Sequence, residues 1–247
     1  MIWGLINGLQ IVFFGLWSVL WISVAIVLGM FFRELPLWLA RRVWAPPLLW
    51  VVGARLEIID DGKVDYSRPH IYVMNHQSML DIGVAFVALP VNLRFIAKAE
   101  LGRIPFLGWF MRVTGMITVE RQGGPKAAAS LRKAARRIQG GANILTFPEG
   151  TRSRNGQLLP FKPGIFRVAQ LAGVAVVPIT IQGADKVLPA DSLRARPGVV
   201  RIHIYAPIEP SREVQEKVEA VIRNGLICPT QPSPGSNTPH PQRSPGP

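Results

Sequence analysis

Cysteine and acidic residues are scarce in this sequence, and each shortage limits what the protein can be. The 247 residues include one cysteine, Cys228, so neither an intrachain disulfide nor a cysteine-based metal site is available. Only 15 residues are acidic against 28 that are basic, which gives a net charge of +13. This excess favours anionic partners, namely acidic lipids, phosphorylated substrates or nucleic acid. Because no zinc-finger or RNP-like pattern is present, nucleic acid is not an expected partner.

Charge is missing altogether from the first part of the chain. Residues 2–32 carry no charged side chain, and such a stretch of helix is long enough to cross a hydrocarbon core of about 30 Å. It lacks the basic n-region and the cleavage site of a secretory signal peptide. Arg33, Arg41 and Arg42 follow it, and by the positive-inside rule they predict that the rest of the chain is cytoplasmic. The alternative is an ordinary buried helix.

The two ends of the chain differ in composition from its middle. Residues 37–52 mix tryptophans with arginines, and we interpret them as an interfacial helix that opens at Pro36 and is broken at Pro46 and Pro47. Together with the apolar stretch they predict a membrane-anchoring region over residues 1–53. Residues 228–247 are rich in Pro, Ser, Gly and Gln, which predicts a disordered tail.

Between these ends, residues 54–227 alternate short strand-like and helical segments. Strands are predicted at 55–59, 71–74, 93–97, 117–120, 143–147, 174–181 and 199–205, and helices at 78–88, 105–113, 125–139, 164–171 and 212–224. This alternation is typical of an α/β domain whose mixed, largely parallel sheet is flanked by helices. Pro178 inside one strand predicts a sheet edge or a bulge. The basic side chains of the helix over 125–139 predict a solvated face that can also contact anionic lipid.

The junction between the strand over 71–74 and the next helix carries a histidine and a carboxylate five residues apart. Such a junction exposes backbone N–H groups that suit anionic ligands and developing negative charge. His76 can exchange a proton near neutral pH, and Asp81 can orient its ring if His76 lies ahead of the first helical turn. The alternative is that Ser78 and Asp81 merely cap the helix. This segment alone does not decide between the two.

Three further segments place charged residues at strand ends, where ligand crevices open in α/β folds. Lys98 closes one predicted strand, and Arg121 follows another. A Pro-Glu-Gly-Thr turn follows the strand over 143–147; its Gly150 can take a positive φ, and Arg152 offers the fork geometry that matches a phosphate. Taken singly, each of these residues also fits a solvated surface charge or a local ion pair.

In this order, the segments resemble the four sequence blocks of the glycerolipid acyltransferases, and most closely those of the bacterial 1-acyl-sn-glycerol-3-phosphate acyltransferases. The blocks are Asn75-His76-x-Ser78-x-x-Asp81, then Lys98-x-Glu100-Leu101 with Gly115 to Arg121, then Phe147-Pro148-Glu149-Gly150-Thr151-Arg152-Ser153, and Val177-Pro178-Ile179. The resemblance covers residues 55–223. Thr118 stands where family members usually carry an aromatic residue and Glu120 where Asp is common, which bears on specificity more than on the reaction.

The resemblance implies transfer of an acyl group from acyl-CoA or acyl carrier protein to the 2-hydroxyl of lysophosphatidic acid, giving phosphatidic acid. His76 would be the base and Asp81 its orienting partner. The implied substrate-binding residues are Lys98, Arg121, Glu149, Gly150, Thr151 and Arg152. No metal or other cofactor is expected, and the enzyme would work among membrane lipids at the bacterial inner membrane, facing the cytoplasm. The alternatives are an acyltransferase for another lysolipid, such as a lysophospholipid or lyso-ornithine lipid, or a catalytically dead membrane-surface binding protein.

Overall fold

A seven-stranded sheet forms the central layer of the protein in the computed structural model. The model describes the backbone of residues 2–119 and 124–227, and their side chains apart from those of 98, 99, 119 and 124–127. The described strands are β1 (Ala54–Asp60), β2 (Ile71–Met74), β3 (Leu93–Lys98), β4 (Ile117–Val119), β5 (Asn143–Thr146), β6 (Val176–Gln182) and β7 (Gly198–Ile204). Their order is β1-β7-β6-β2-β5-β3-β4, and only the β6–β7 pair is antiparallel. The predicted mixed, largely parallel sheet is confirmed.

Helices cover both faces of this sheet. They are α1 (Ile2–Gly29), α2 (Leu35–Leu39), a π-helical turn (Ala40–Trp44), α3 (Ala45–Val51), α4 (Leu80–Ala88), a 3-10 turn (Ala99–Arg103), α5 (Leu107–Val113), α6 (Gly124–Gln139), α7 (Gly164–Ala172), α8 (Ala184–Val187) and α9 (Val214–Ile227). Successive side chains of the central strand β2 point alternately to the helical layers on the two faces of the sheet. Tyr72 and Met74 pack with α3 and α4, whereas Ile71 and Val73 pack with α6, α7 and α9. The basic helix α6 therefore lies in the layer opposite α3 and α4.

The N-terminal segment α1 is apolar and largely exposed, as a membrane helix would be. It packs against α2 and α5, and of its side chains only those of Asn7 and Ala25 are buried. Within residues 2–119 and 124–227, α1 is the helix long and apolar enough to cross a membrane. Its 28 residues would extend about 42 Å.

The predicted break at Pro46 and Pro47 is wrong. The helical path continues from α2 through the π-helical turn into α3, and both prolines lie in the first turn of α3. Both prolines follow the π-helical turn closely, so their missing N–H groups lie where the regular α-helical hydrogen-bond pattern is already interrupted. One face of α3, with Ala45 and Leu49, is part of the core, while Trp50 on the other face is exposed.

The predicted edge position for Pro178 is also wrong, because β6 is an interior strand between β2 and β7. The predicted bulge is confirmed, because the antiparallel pairing shifts by one residue between Ile179–Ile204 and Val176–Ile208. The carbonyl of Pro178 accepts a hydrogen bond from the backbone of Tyr205 at 3.1 Å, so its nitrogen also faces β7. The antiparallel ladder with β7 begins only at Ile179. The missing N–H therefore lies beside the change of register, where a proline is tolerated in a sheet.

Candidate active site

The loop between β2 and α4 brings His76 and Asp81 into direct contact. Nδ1 of His76 lies 2.7 Å from Oδ2 of Asp81. The aspartate side chain is fully inaccessible, whereas the histidine side chain keeps 16% of its surface exposed. With Nδ1–H donating to this carboxylate, the neutral ring carries its free lone pair on Nε2, which is the nitrogen able to accept a proton.

The capping interpretation and the proton-transfer interpretation prove compatible. The same Oδ2 of Asp81 accepts backbone N–H bonds from Gln77 at 2.7 Å and from Ser78 at 2.9 Å. Asp81 thus ties down the loop that carries the histidine as well as its ring. Ser78 is not the N-cap: its hydroxyl accepts from Leu80 at 3.1 Å and donates to the carbonyl of Leu188 at 2.7 Å.

The backbone N–H groups at the junction between β2 and α4 were expected to be free to bind an anionic ligand, and the structure shows otherwise. The N–H groups of Gln77 and Ser78 already donate to Asp81, and that of His76 donates to Glu149 at 2.7 Å. They are therefore held inside the protein and are not directed at a ligand. What they supply is a fixed position for the His76 ring, which lowers the cost of orienting it during a reaction.

Glu149 supports the histidine loop from the neighbouring strand end. It is 4% exposed, and its second carboxylate oxygen accepts the backbone N–H of Leu159 at 2.9 Å. Burial raises the pKa of this carboxyl, and the two backbone bonds oppose that effect. Both oxygens of Glu149 thus accept backbone N–H bonds and hold the loop in place. The predicted contact of Glu149 with substrate would be a second role beside this structural one.

The turn after β5 lies directly against His76. The Phe147 ring stacks on the histidine ring with centroids 3.9 Å apart, and the Ser153 N–H donates to the His76 carbonyl at 2.8 Å. Gly150 has a φ of +74°, and a β-carbon there would lie 2.5 Å from Nζ of Lys162. Arg152, half-buried, immediately precedes Ser153, and Thr151 is exposed.

Two further cations, Lys98 and Arg121, were predicted to bind substrate. Lys98 ends β3, whose residue Phe95 is in register with Leu145 of β5. The Lys98 backbone therefore lies at the same sheet edge as the turn after β5, while its side chain is outside the described part of the chain. Arg121 lies outside the described residues. Substrate contacts of both residues stay predictions.

Three residues at the site were not assigned a role from the sequence. The Asn75 amide donates to the Ile181 carbonyl at 3.0 Å and accepts from the Ile181 N–H at 2.8 Å, so it pairs with β6 as a strand residue would. Phe147 positions the imidazole face, and Lys162 adds a cation above the turn. Asn75 and Phe147 both lie in the sequence blocks quoted above. Their partners, Ile181 and His76, are distant in sequence, so no local pattern predicts these contacts.

Two apolar cavities adjoin α4 and are separated by Trp44, Met79 and Ile82, which line both. The larger, about 450 Å³, is lined by α1, α2, α5, the second half of β3 and Met116 just before β4. The smaller, about 330 Å³, lies between α1, α3, α4 and residues 188–195. Phe95 lines the larger cavity and stacks on Phe147, with ring centroids 6.4 Å apart. An apolar lining of this size fits hydrocarbon chains.

The site thus combines a partly exposed histidine and a buried aspartate at the carboxyl edge of a mixed sheet, beside two apolar cavities. Residues 55–182 match the model of the acyltransferase family, and the chain belongs to that family. The crystal structure of the 1-acyl-sn-glycerophosphate (LPA) acyltransferase PlsC from Thermotoga maritima is similar, with a TM-score of 0.75 and 26% identity over 91% of this chain and 96% of that one.

Curated relatives carry related names. A Helicobacter pylori 1-acyl-sn-glycerol-3-phosphate acyltransferase is 32% identical over 86% of this chain and 92% of its own length. The chloroplastic 1-acyl-sn-glycerol-3-phosphate acyltransferase LPAT1 of Arabidopsis thaliana is 40% identical over 59% of this chain. The chain spans 41% of the length of that plant relative, 42% of a Brassica napus one and 46% of a Chlamydomonas reinhardtii one.

Proposed function

We propose that this protein transfers a fatty acyl group from a thioester donor to the 2-hydroxyl of lysophosphatidic acid and so forms phosphatidic acid. The observation that carries the proposal is the 2.7 Å contact between His76 and the buried Asp81, held at the strand edge beside the Glu-Gly-Thr-Arg turn. The relatives named for this acceptor support the choice of lysolipid.

In the proposed reaction, Nε2 of His76 takes the proton of the 2-hydroxyl as the hydroxyl oxygen attacks the thioester carbonyl carbon. The new C–O bond forms while the carbonyl electrons move to its oxygen. When they return, the C–S bond breaks, and the proton held by His76 passes to the departing sulfur. Asp81 keeps the ring oriented and stabilises the imidazolium while it exists. The acyl group thus moves from sulfur to oxygen and the proton from oxygen to sulfur, without an acyl-enzyme.

The remaining site residues have substrate-binding roles in this proposal. The acceptor phosphate would bind to Arg152, with Lys98 and Arg121 as further cations, because a guanidinium fork matches phosphate oxygens. Gly150 and Thr151 would allow the glycerol to approach the turn, where Glu149 holds the loop. The acyl chains would occupy the two apolar cavities that adjoin α4. No metal or other cofactor takes part, and the donor is acyl-CoA or acyl carrier protein.

The proposed location is the bacterial inner membrane, with the α/β domain on the cytoplasmic side. The apolar, exposed α1 and the arginines that follow it support this placement. We expect the full chain to stay in the membrane pellet after a high-salt wash and to need detergent for extraction. Recovery in the high-salt supernatant would contradict it.

Thioester consumption by the detergent-purified full chain tests the reaction. Acyl-CoA and acyl carrier protein are each offered with lysophosphatidic acid, another lysophospholipid and a lyso-ornithine lipid, and thiol release is followed. We expect the fastest release with lysophosphatidic acid. Faster release with another acceptor would assign the protein to a sibling activity, and no release with any acceptor would favour a binding protein.

A further inference from the structure

Two arginines from separate parts of the chain flank Gly115, at the edge of the sheet opposite the active site. A third, Arg33, immediately precedes Glu34, which pairs with Arg94, and its charge acts on Arg137. Arg33 follows α1, Arg94 is the second residue of β3, and Arg137 is near the end of α6. Measured from the point where a β-carbon on Gly115 would lie, Nη1 of Arg137 is 2.5 Å away and Nε of Arg94 is 3.4 Å away. Gly115 has a φ of +73°, and its missing side chain leaves room for both guanidinium groups. We name Arg33, Arg94 and Arg137 the arginine cluster.

The positive charge of the arginine cluster is only partly balanced within the described residues. Arg94, 8% exposed, forms an ion pair with Glu34, whose other oxygen accepts from Asn92 at 3.1 Å. Arg137 donates to a backbone carbonyl at 2.6 Å. Burial first, and then the proximity of Arg94 and Arg33, lowers the pKa of Arg137. Three guanidinium groups and one carboxylate leave a local excess of two positive charges, which an anion would relieve.

The arginine cluster is distinct from the active site. Arg94 is at the amino end of β3 and Lys98 at its carboxyl end, and the two lie four positions apart along the strand, about 13 Å. The catalytic pair lies at the carboxyl end of the neighbouring parallel strands. An anion held by the arginine cluster would therefore not be the acyl acceptor bound for reaction.

The arginine cluster also adjoins the end of the apolar helix α1. A β-carbon on Gly29, the last residue of α1, would lie 2.8 Å from the side chain of Val113, two residues before Gly115. Between α1 and Arg33, the side chains of Met30, Phe31 and Phe32 are exposed. Apolar side chains that suit acyl chains thus stand directly beside cations that suit phosphate, which is the arrangement of a membrane–water interface.

We propose that Arg33, Arg94 and Arg137 bind the phosphate of an anionic phospholipid of the surrounding membrane, at the point where α1 meets the α/β domain. This inference rests on the proposed membrane association and goes beyond the proposed reaction. The bound lipid would fix the depth and orientation of the domain relative to the bilayer. Neutral phospholipids, which carry a compensating choline charge, would bind more weakly.

Lipid binding by the purified full chain in dodecyl maltoside micelles tests the proposal. Phosphatidylglycerol or phosphatidylcholine is titrated in, retained lipid is counted by native mass spectrometry, and the melting temperature is followed. We expect phosphatidylglycerol to be retained and to raise the melting temperature more than phosphatidylcholine does. Near a membrane surface each arginine contributes roughly a fivefold affinity. The R33Q/R137Q variant should therefore bind phosphatidylglycerol about 25-fold more weakly.

A matched control removes the same charge elsewhere. Arg201 on β7 and Arg223 on α9 form surface pairs with Glu57 and Glu219, each at 2.6 Å. In the R201Q/R223Q variant the affinity for phosphatidylglycerol should change less than twofold. R33Q alone, which alters an exposed side chain, should lose about fivefold and guards against misfolding of the double variant.

Three results would overturn the proposal. They are equal binding of the two lipids, an equal loss in the control variant, and a melting-temperature rise with inorganic phosphate as large as that with phosphatidylglycerol. The last result would indicate a small-anion site instead of a lipid site. Thiol release is measured on the same samples, so that loss of lipid binding and loss of acyl transfer are read separately.

Discussion

His76 and His203 each contact an aspartate at nearly the same distance, 2.7 Å to Asp81 and 2.8 Å to Asp61. Their surroundings differ. Asp81 is inaccessible and accepts two backbone N–H bonds besides the imidazole, whereas the Asp61 side chain is 32% exposed. His76 stands at the carboxyl edge of the central strands, and His203 lies within β7 near the sheet margin. A short histidine–carboxylate contact is therefore a poor guide to catalysis unless the carboxylate is fixed and the free nitrogen faces room for substrate.

The strongest test of this contrast is removal of each imidazole. H76A should lose at least the roughly 10²–10⁴-fold typical of general-base catalysis, because no other group on the loop can take the hydroxyl proton. H203A should retain nearly full turnover. Thiol release and melting temperature are measured on both variants. A folded H76A protein with full activity would end the mechanism proposed above.

Exchange of each carboxylate for its amide should give the next largest difference. D81N should reduce turnover severely, since an amide cannot stabilise the imidazolium and can favour the wrong tautomer. It should also cost about 1 kcal/mol of stability, because Oδ2 holds two backbone N–H groups. D61N should change both quantities little.

The double variant H76A/D81N gives a further check on the same pair. Its loss of activity should be close to that of H76A alone, because both residues serve one proton transfer. If D81N lowered only the melting temperature and left turnover intact, helix capping would be the sole role of Asp81. Additive losses would mean that the two side chains act in separate steps.

Substitution of Arg152, with Arg154 as its control, should have an effect of intermediate size. R152A should raise the KM for the lysolipid about 10–100-fold, the cost of lost charged hydrogen bonds, with little change in the KM for the donor. R152K should restore it only in part. Arg154 is the control, because it forms an exposed ion pair with Asp191 at 3.3 Å. Equal rises for both substrates in R152A would indicate a structural role.

The smallest expected effect concerns Glu149 and pH. Because burial raises its pKa, the folded protein binds this proton more tightly than the unfolded chain does. Its contribution to stability is complete below the unfolded pKa of about 4.3 and is lost as the pH rises through the raised folded value. The stability advantage of the wild type over E149Q should therefore shrink between pH 4 and pH 7, as measured by thermal melting in detergent. An advantage that grows with pH would mean that the two backbone bonds outweigh burial.

Much of the fold was predictable because its signals are local. Predicted strands and helices within the described residues end within about three residues of the observed ones, since apolar periodicity and Gly or Pro mark them directly. The meeting of His76 and Asp81 was predictable for the same reason, as both lie within one short loop and helix start.

What escaped prediction depends on partners distant in sequence. Helix α4 begins at Leu80, two residues later than predicted, because the Ser78 hydroxyl is engaged by Leu188. Pro178 is tolerated in an interior strand because the pairing with the segment that follows β7 shifts by one residue beside it. The arginine cluster joins three elements that no sequence window contains.

The bonds that hold the catalytic loop also set the order in which the protein becomes active during synthesis. Asn75, His76 and Ser78 take their partners from residues that are 106, 73 and 110 positions further along the chain. Segments leave the ribosome in sequence, so α1 is made long before β6 and the loop after it. A nascent chain that is seated in the membrane by α1 and made only as far as β5 would still lack all three of these anchors. We therefore expect anchoring to precede catalytic competence, and a chain that stops after β5 to be inert at the membrane surface.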